Sequence, residues 1–252
     1  MKSGDSRRFS TPFGAPLVPR LPIRFRDTEI LTIVYRSDRA AIEALLPEPL
    51  VPSSDFVMAH FYKMNDPDRF GPHREFALQL DAVLPAAGVR GADSPFLLLS
   101  TDGGLAAGRE IYGQPKKLGE PSLEIRGDLI VGRAERNGID VVVGTLPYKQ
   151  ESAEIGDIAK YFPFTRNINY KFIPHVTGEP AIRQLTARIF EDVAVRECWK
   201  GEGTIEIRPN AQFPVHRLPV RETLEGFYWR ADLTLPFGTV IHDYLKEGGA
   251  PG

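Results

Sequence analysis

The chain reads as a mostly antiparallel β protein of the α+β class, built as a single barrel or cone-like domain with a few short helices. Three observations point there. Short apolar or alternating runs recur along the whole length, separated by turn residues. Asn137-Gly138 stands between two such runs, the strongest short hairpin signal a sequence offers. With 23 glycines and 22 prolines in 252 residues, turns are favoured over long helices.

Residues 1–22 are polar and proline-containing and read as an N-terminal arm, leaving 23–252 as the domain. Glu29 to Tyr35 is the first strand. Asp38 stands where an N-cap would start a short helix, Arg39 to Leu46, and Pro47 stops it. Phe56 to Tyr62 and Phe76 to Leu84 are strands, the second following the Gly71-Pro72 turn. Pro95-Phe-Leu-Leu-Leu99 is an apolar run with the character of a buried strand, and Gly103, Gly104 and Gly108 after it allow tight turns. Leu123 to Ala134 and Ile139 to Leu146 form the hairpin around Asn137-Gly138. A short helix fits within Ala153 to Phe162. Asn169 to Pro174, Ile182 to Val195, Thr204 to Arg208 and Phe227 to Leu235 are further strands, and a short helix closes near Tyr244 and Leu245. No repeat, low-complexity tract or linker divides the chain.

Composition narrows the function classes. A net charge of −2 gives no electrostatic case for nucleic acid or an anionic membrane. Cys198 is the single cysteine, so an intramolecular disulfide and a CxxC metal site are both excluded. No signal-peptide core and no long apolar span is present, and a cytoplasmic protein is expected. There is no GxxxxGK[ST], no GxGxxG opening a helix and no GxSxG elbow, which leaves the nucleotide and serine-hydrolase readings with little support.

The stretch Gly108-Arg-Glu-Ile-Tyr-Gly-Gln-Pro-Lys-Lys-Leu-Gly119 carries the chemistry. An unperturbed lysine, with a pKa of about 10.4, is almost fully charged at neutral pH, yet only the neutral amine attacks a carbonyl. A second cation nearby, or an apolar pocket, disfavours the charge. Lys116 and Lys117 beside apolar segments could supply such an amine, although adjacent residues point apart on a strand and most lysine pairs are solvated. Pro115 stiffens the entry to the pair. Arg109 and Glu110 could brace the loop, and Tyr112 and Gln114 could hydrogen-bond a substrate oxygen. One or two of Leu97, Leu98 and Leu99 could shelter the amine, and Leu98 is taken as the pocket residue. His60, His73 and Glu75 could in principle ligate a metal, but the pattern is weak and no metal is expected.

Together these segments resemble the acetoacetate decarboxylase family. Ile33-Val-Tyr-Arg-Ser-Asp38 with Leu46-Pro-Glu-Pro-Leu50, then Gly108-Arg-Glu and Pro115-Lys-Lys-Leu-Gly119, match in order. Tyr148-Lys149, Asn169-Tyr-Lys-Phe-Ile-Pro174, Leu218-Pro219-Val220, Ala231-Asp-Leu-Thr-Leu-Pro236 and Val240-Ile-His-Asp-Tyr-Leu245 continue the match. A lysine made nucleophilic by a neighbouring cation is a device for which this same family is the standard example. The resemblance implies that Lys116 forms the Schiff base, that Lys117 helps keep it neutral, and that Glu75 is the glutamate near it. It implies a small keto-acid substrate, no cofactor and a homo-oligomer.

Two positions depart from the family's decarboxylases. Thr28 stands where they carry an arginine, and His60 where they carry a second acid. Arg26, two residues from Thr28, would share its face on a regular strand and could supply a cation for a carboxylate. Three readings stay open here: decarboxylation of a β-keto acid such as acetoacetate, aldol addition and dehydration of a 2-oxo acid such as pyruvate, and a non-catalytic barrel binding a small ligand.

Overall fold

Alternation along the first strand sets the layering. In β1 (Ile23–Arg36), Leu31, Ile33 and Tyr35 enter one apolar core, while Ile30 and Val34 enter a second core on the opposite face. A strand buried on both faces belongs in the middle of a sheet. The structure, a computed structural model, describes residues 9–247.

After β1 come α1 (Arg39–Glu43), β2 (Val51–Pro67), β3 (His73–Leu84) and β4 (Val89–Leu99). Then follow α2 (Asp102–Ala107), a π-helical turn over Gly108–Tyr112 and the short strand β5 (Lys116–Leu118). β6 (Glu120–Arg126), β7 (Leu129–Arg136) and β8 (Ile139–Pro147) make a meander. β9 (Glu151–Ser152), α3 (Ile155–Ala159), β10 (Arg166–Pro174), β11 (Pro180–Ile189), β12 (Glu191–Gly201), β13 (Thr204–Ile207), β14 (Glu222–Leu235), β15 (Thr239–Asp243) and α4 (Tyr244–Glu247) complete the described chain.

The main sheet has 11 strands in the order β15-β11-β10-β4-β3-β2-β1-β14-β12-β9, with β5 added beside β4. A 4-stranded sheet, β13-β8-β7-β6, packs over one face. Its Leu123, Ile130, Val142 and Leu146 meet Leu31, Phe61, Phe76 and Leu98 of the main sheet in one core. Pairing is antiparallel except where β4 meets β5 and β10. The predicted class is observed, with one refinement: the sheets are not closed, and among the described strands β15 and β9 end the path without pairing to each other.

Several boundaries differ from the sequence reading for local reasons. The run Leu123–Ala134 is two strands, because Gly127 at φ 62° makes a turn between β6 and β7. The run Ile182–Val195 is also two: β11 pairs with β10, and β12 crosses to pair with β14 after a bulge at Asp192, φ 49°. The first helix ends at Glu43, and the Asp38 carboxylate takes both Nε and Nη2 of Arg221 instead of capping it. The segment read as turns after β4 is α2 and the π-helical turn. The first eight residues of the expected arm lie outside the described residues. Of the rest, Val18 packs on Ala106 and Ala107 of α2, and Leu21 joins Phe25 and Tyr112. No helix among the described residues is long and apolar enough to cross a membrane.

Candidate active site

Register across the main sheet assembles the site. Thr32 pairs with His60, His60 with Ala77, Ala77 with Leu97, and Leu97 with Lys116. Residues paired across strands share a face, so this row turns Lys116 toward one side of the sheet. The neighbouring row, Leu31, Phe61, Phe76, Leu98 and Lys117, turns to the other.

Lys116 is only 8% exposed, and its Nζ lies 3.0 Å from Glu75 Oε1 and 3.1 Å from Oε2. The loop before it is tightly held. The Lys116 N–H donates to the Gln114 carbonyl at 2.8 Å, and Arg109 Nη1 donates to the Lys116 carbonyl at 3.3 Å, the bracing role anticipated for that arginine. Gly108 passes so close to the lysine stem that any side chain there would collide with it. The amine and Glu75 face a cavity of about 60 Å³. Drug-sized ligand pockets run to several hundred Å³, so this one suits a molecule of few heavy atoms.

Tyr112 and Gln114 both line this cavity. The Tyr112 hydroxyl donates to the Pro236 carbonyl at 2.5 Å, and burial pushes its pKa up to about 12. Burial, and secondarily the charge of Glu75, raises the Tyr62 hydroxyl well above its ordinary range. Burial also lowers His73, whose Nδ1 is bonded to the Gly71 carbonyl at 2.9 Å.

Five expected site residues lie elsewhere. Lys117 follows the opposite parity and donates to the Gln212 carbonyl at 2.6 Å, outside the cavity. Leu98 shares that parity and packs in the core between the sheets, and Leu97 lines the cavity in its place. Arg26 is on the outer side, donating to Asp66 at 3.3 Å and Asp68 at 2.7 Å. The cause is a bulge against β14 at Asp27, φ 51°, which shifts the alternation so that Phe25 faces the cavity. Thr28 is buried behind Met64, its Oγ1 donating to Sδ at 3.5 Å. His60 is buried one layer back, with Nε2 on Gln79 Oε1 at 3.0 Å and Nδ1 on Thr32 Oγ1 at 2.9 Å; Gln79 is the lining residue. Thr32 Oγ1 in turn accepts from Trp229 Nε1 at 3.0 Å. Burial lowers His60 to about 4, so its imidazole is neutral. Among the described residues no His, Cys, Asp and Glu group is arranged to hold a metal.

The structure adds cavity residues that the motifs do not reveal: Gln79, Asn167 and, above all, Arg188. Arg188 ends the buried stretch that begins at Leu185 of β11, and a cation directly after Leu185-Thr-Ala and before Ile189-Phe190 is the signal the sequence offers for it. Beyond Ser94, which lines this cavity and a neighbouring one, Asp93 is buried with no charged partner among the described residues, and desolvation raises it to about 7.

The model of the family described as acetoacetate decarboxylase (ADC) matches residues 10–245. A protein of Chromobacterium violaceum named acetoacetate decarboxylase is 38% identical, the match covering 96% of this chain and 97% of that one. A structure solved in structural studies of acetoacetate decarboxylase aligns with a TM-score of 0.89 at 31% identity, covering 96% of this chain and 98% of that one. That of the acetoacetate decarboxylase from Legionella pneumophila aligns at 0.87 and 30%, covering 95% and 96%.

Proposed function

The chain belongs to the acetoacetate decarboxylase family, and on that premise we propose that it is a carboxy-lyase that removes carbon dioxide from a short β-keto acid, such as acetoacetate, through a Schiff base on Lys116. The observation that carries the assignment is the buried Lys116 amine held by both oxygens of Glu75 at the wall of a small cavity.

In this mechanism Glu75 accepts a proton from the lysine ammonium, and the neutral amine attacks the substrate ketone. The carbinolamine takes the proton back on its hydroxyl and loses water, which leaves an iminium. The bond between the α-carbon and the carboxylate then breaks. Its electron pair moves toward the iminium nitrogen, giving an enamine as carbon dioxide leaves. Protonation of the α-carbon and addition of water return Lys116 and release the ketone. Glu75 is the buried base within reach of the nitrogen in each proton transfer. Gln114 and Tyr112 border the space the substrate fills. The small cavity and the decarboxylases that match over the whole chain support decarboxylation ahead of aldol chemistry or simple binding. The same family membership supports a cytoplasmic homo-oligomer; the division into an arm over 1–22 and one catalytic domain over 23–252 rests on the sequence alone, and the family match begins at residue 10.

The test is intact mass after incubation with acetoacetate and borohydride. Wild type is expected to gain the mass of the reduced, decarboxylated product, and Lys116→Ala to gain nothing and lose turnover. A wild type without adduct, or an active Lys116→Ala, would overturn the assignment.

A further inference from the structure

Among the described residues, Arg188 has no carboxylate partner. The residue is 7% exposed and lines the same cavity as Lys116 and Glu75. Its Nη2 donates to Asn167 Oδ1 at 2.8 Å, and Asn167 Nδ2 is held by the Phe164 carbonyl at 3.2 Å. Nε and Nη1 are buried and have no acceptor among the described residues. The plane is fixed from the sides by the Phe190 ring, 4.0 Å from the guanidinium carbon, and by Tyr112 at 5.6 Å. Lys116 and Glu75 neutralise each other. The cavity therefore keeps one uncompensated positive charge, on a group that stays protonated at any working pH. Burying an unpaired charge is costly, and buried N–H donors without a protein acceptor are costly too. An anion that enters lowers both costs, by supplying the missing charge and an acceptor. Arg26, the cation suggested by the sequence, is already occupied by Asp66 and Asp68 outside.

We propose that Arg188 binds the substrate's carboxylate through the edge that carries Nη1, which the protein leaves unpaired, and the second Nη2 hydrogen, the first being held by Asn167. The proposal rests on the Lys116 reaction above and adds its specificity: the cavity selects a ketone that also carries an acid. A planar guanidinium held by Asn167 and two rings is a directional clamp. It fixes the carboxylate while Lys116 holds the ketone carbon, and so orients the bond to be broken. The clamp touches a charge that is present in the ground state and leaves with carbon dioxide. Its loss is therefore felt mainly in binding, as a higher KM, and less in kcat.

The experiment compares wild type, Arg188→Met and Arg188→Lys, with thermal melting to confirm folding. Arg188→Met is expected to raise KM for acetoacetate by about 10²-fold, and Arg188→Lys to recover part of that loss. Borohydride labelling of Lys116 by acetone, a ketone with no acid, is expected to be equal in wild type and Arg188→Met. Butyrate, an acid with no ketone, is expected to bind wild type and not Arg188→Met in a calorimetric titration. An unchanged KM, butyrate binding that survives in Arg188→Met, or acetone labelling that falls together with acetoacetate turnover would each overturn the proposal. A wild type that labels with neither ketone would refute the Schiff-base reading instead, and butyrate binding would still decide Arg188.

Discussion

Replacing Gly108 with alanine would set a methyl group against the stem of the nucleophile. The new Cβ would lie 2.5 Å from Lys116 Cδ, 2.8 Å from Cε and 3.0 Å from Gln114 Oε1. Ordinary contact begins at 3.4 Å, so the stem must retreat by 3.4 − 2.5 ≈ 0.9 Å. It cannot do so freely. The backbone of Lys116 is paired to Leu97 and bonded to Gln114 and Arg109, and its Nζ is bound by Glu75. A misplacement of about 1 Å at a reacting centre costs on the order of 10²-fold in rate. The backbone itself accepts alanine, since Gly108 has φ −60° and ψ −47°. Restricting the unfolded chain there contributes about 0.4–1 kcal/mol of stability, which offsets part of the strain. Gly108→Ala is thus expected to melt close to wild type while its kcat, followed by carbon dioxide release, falls about 10²-fold. Wild-type turnover with an unchanged melting curve would show that Lys116 does not react from the position described.

Two further predictions concern charge. Lys117→Ala is expected to leave the acidic limb of the pH–rate profile where it is and to cost less than about 1 kcal/mol of stability, because Lys117 reaches the Gln212 carbonyl and not the cavity; an acidic limb that moves upward would restore the role implied by the family resemblance. Asp93 and His60 should give opposite pH dependences of stability. Between 3.8 and about 7, Asp93 is protonated when folded and ionised when unfolded, so the folded chain holds the extra proton and stability falls as pH rises, by about 4 kcal/mol across the window. Between about 4 and 6.5, His60 is neutral when folded and charged when unfolded, so stability falls as pH drops, by about 3 kcal/mol. The two slopes nearly cancel in wild type. In urea titrations across pH, Asp93→Asn should gain on wild type as pH rises and His60→Gln should gain as it falls; parallel curves for either variant would refute that residue's assignment.

The strands of the sheet are legible in the sequence, because β-branched and aromatic runs bounded by Gly, Pro and Asn turns leave a strong local signal. Lys116, Glu75, Tyr112 and Gln114 are legible too, through the motif and its resemblance. Parity is what stays concealed. Whether Leu97 or Leu98 shelters the amine, and whether Lys116 or Lys117 is inside, depends on which strand β5 pairs with and in what register. Arg26 falls outside the cavity because one extra residue at Asp27 reverses the alternation, a change a local reading cannot see. Arg188 escapes a motif search because it lies more than seventy residues from Lys116 in the chain, and only the partnership of β10 with both β4 and β11 brings it near.

The row of side chains behind the cavity has a direction. An indole nitrogen can only donate, so Thr32 Oγ1 accepts from Trp229; an amide oxygen can only accept, so the neutral His60 donates from Nε2 to Gln79 Oε1 and takes the Thr32 hydrogen at Nδ1. A neutral imidazole that accepts at Nδ1 carries its proton on Nε2, and it donates that proton to Gln79 Oε1. The carbonyl end of the Gln79 amide is thereby occupied, and its NH₂ end is the one left for the cavity. Three groups that never touch the substrate, strung from Trp229 on β14 through Thr32 on β1 to His60 on β2, act as a ratchet of polarity. They are consistent with one imidazole tautomer and one amide orientation, in which this wall meets an incoming oxygen with a donor.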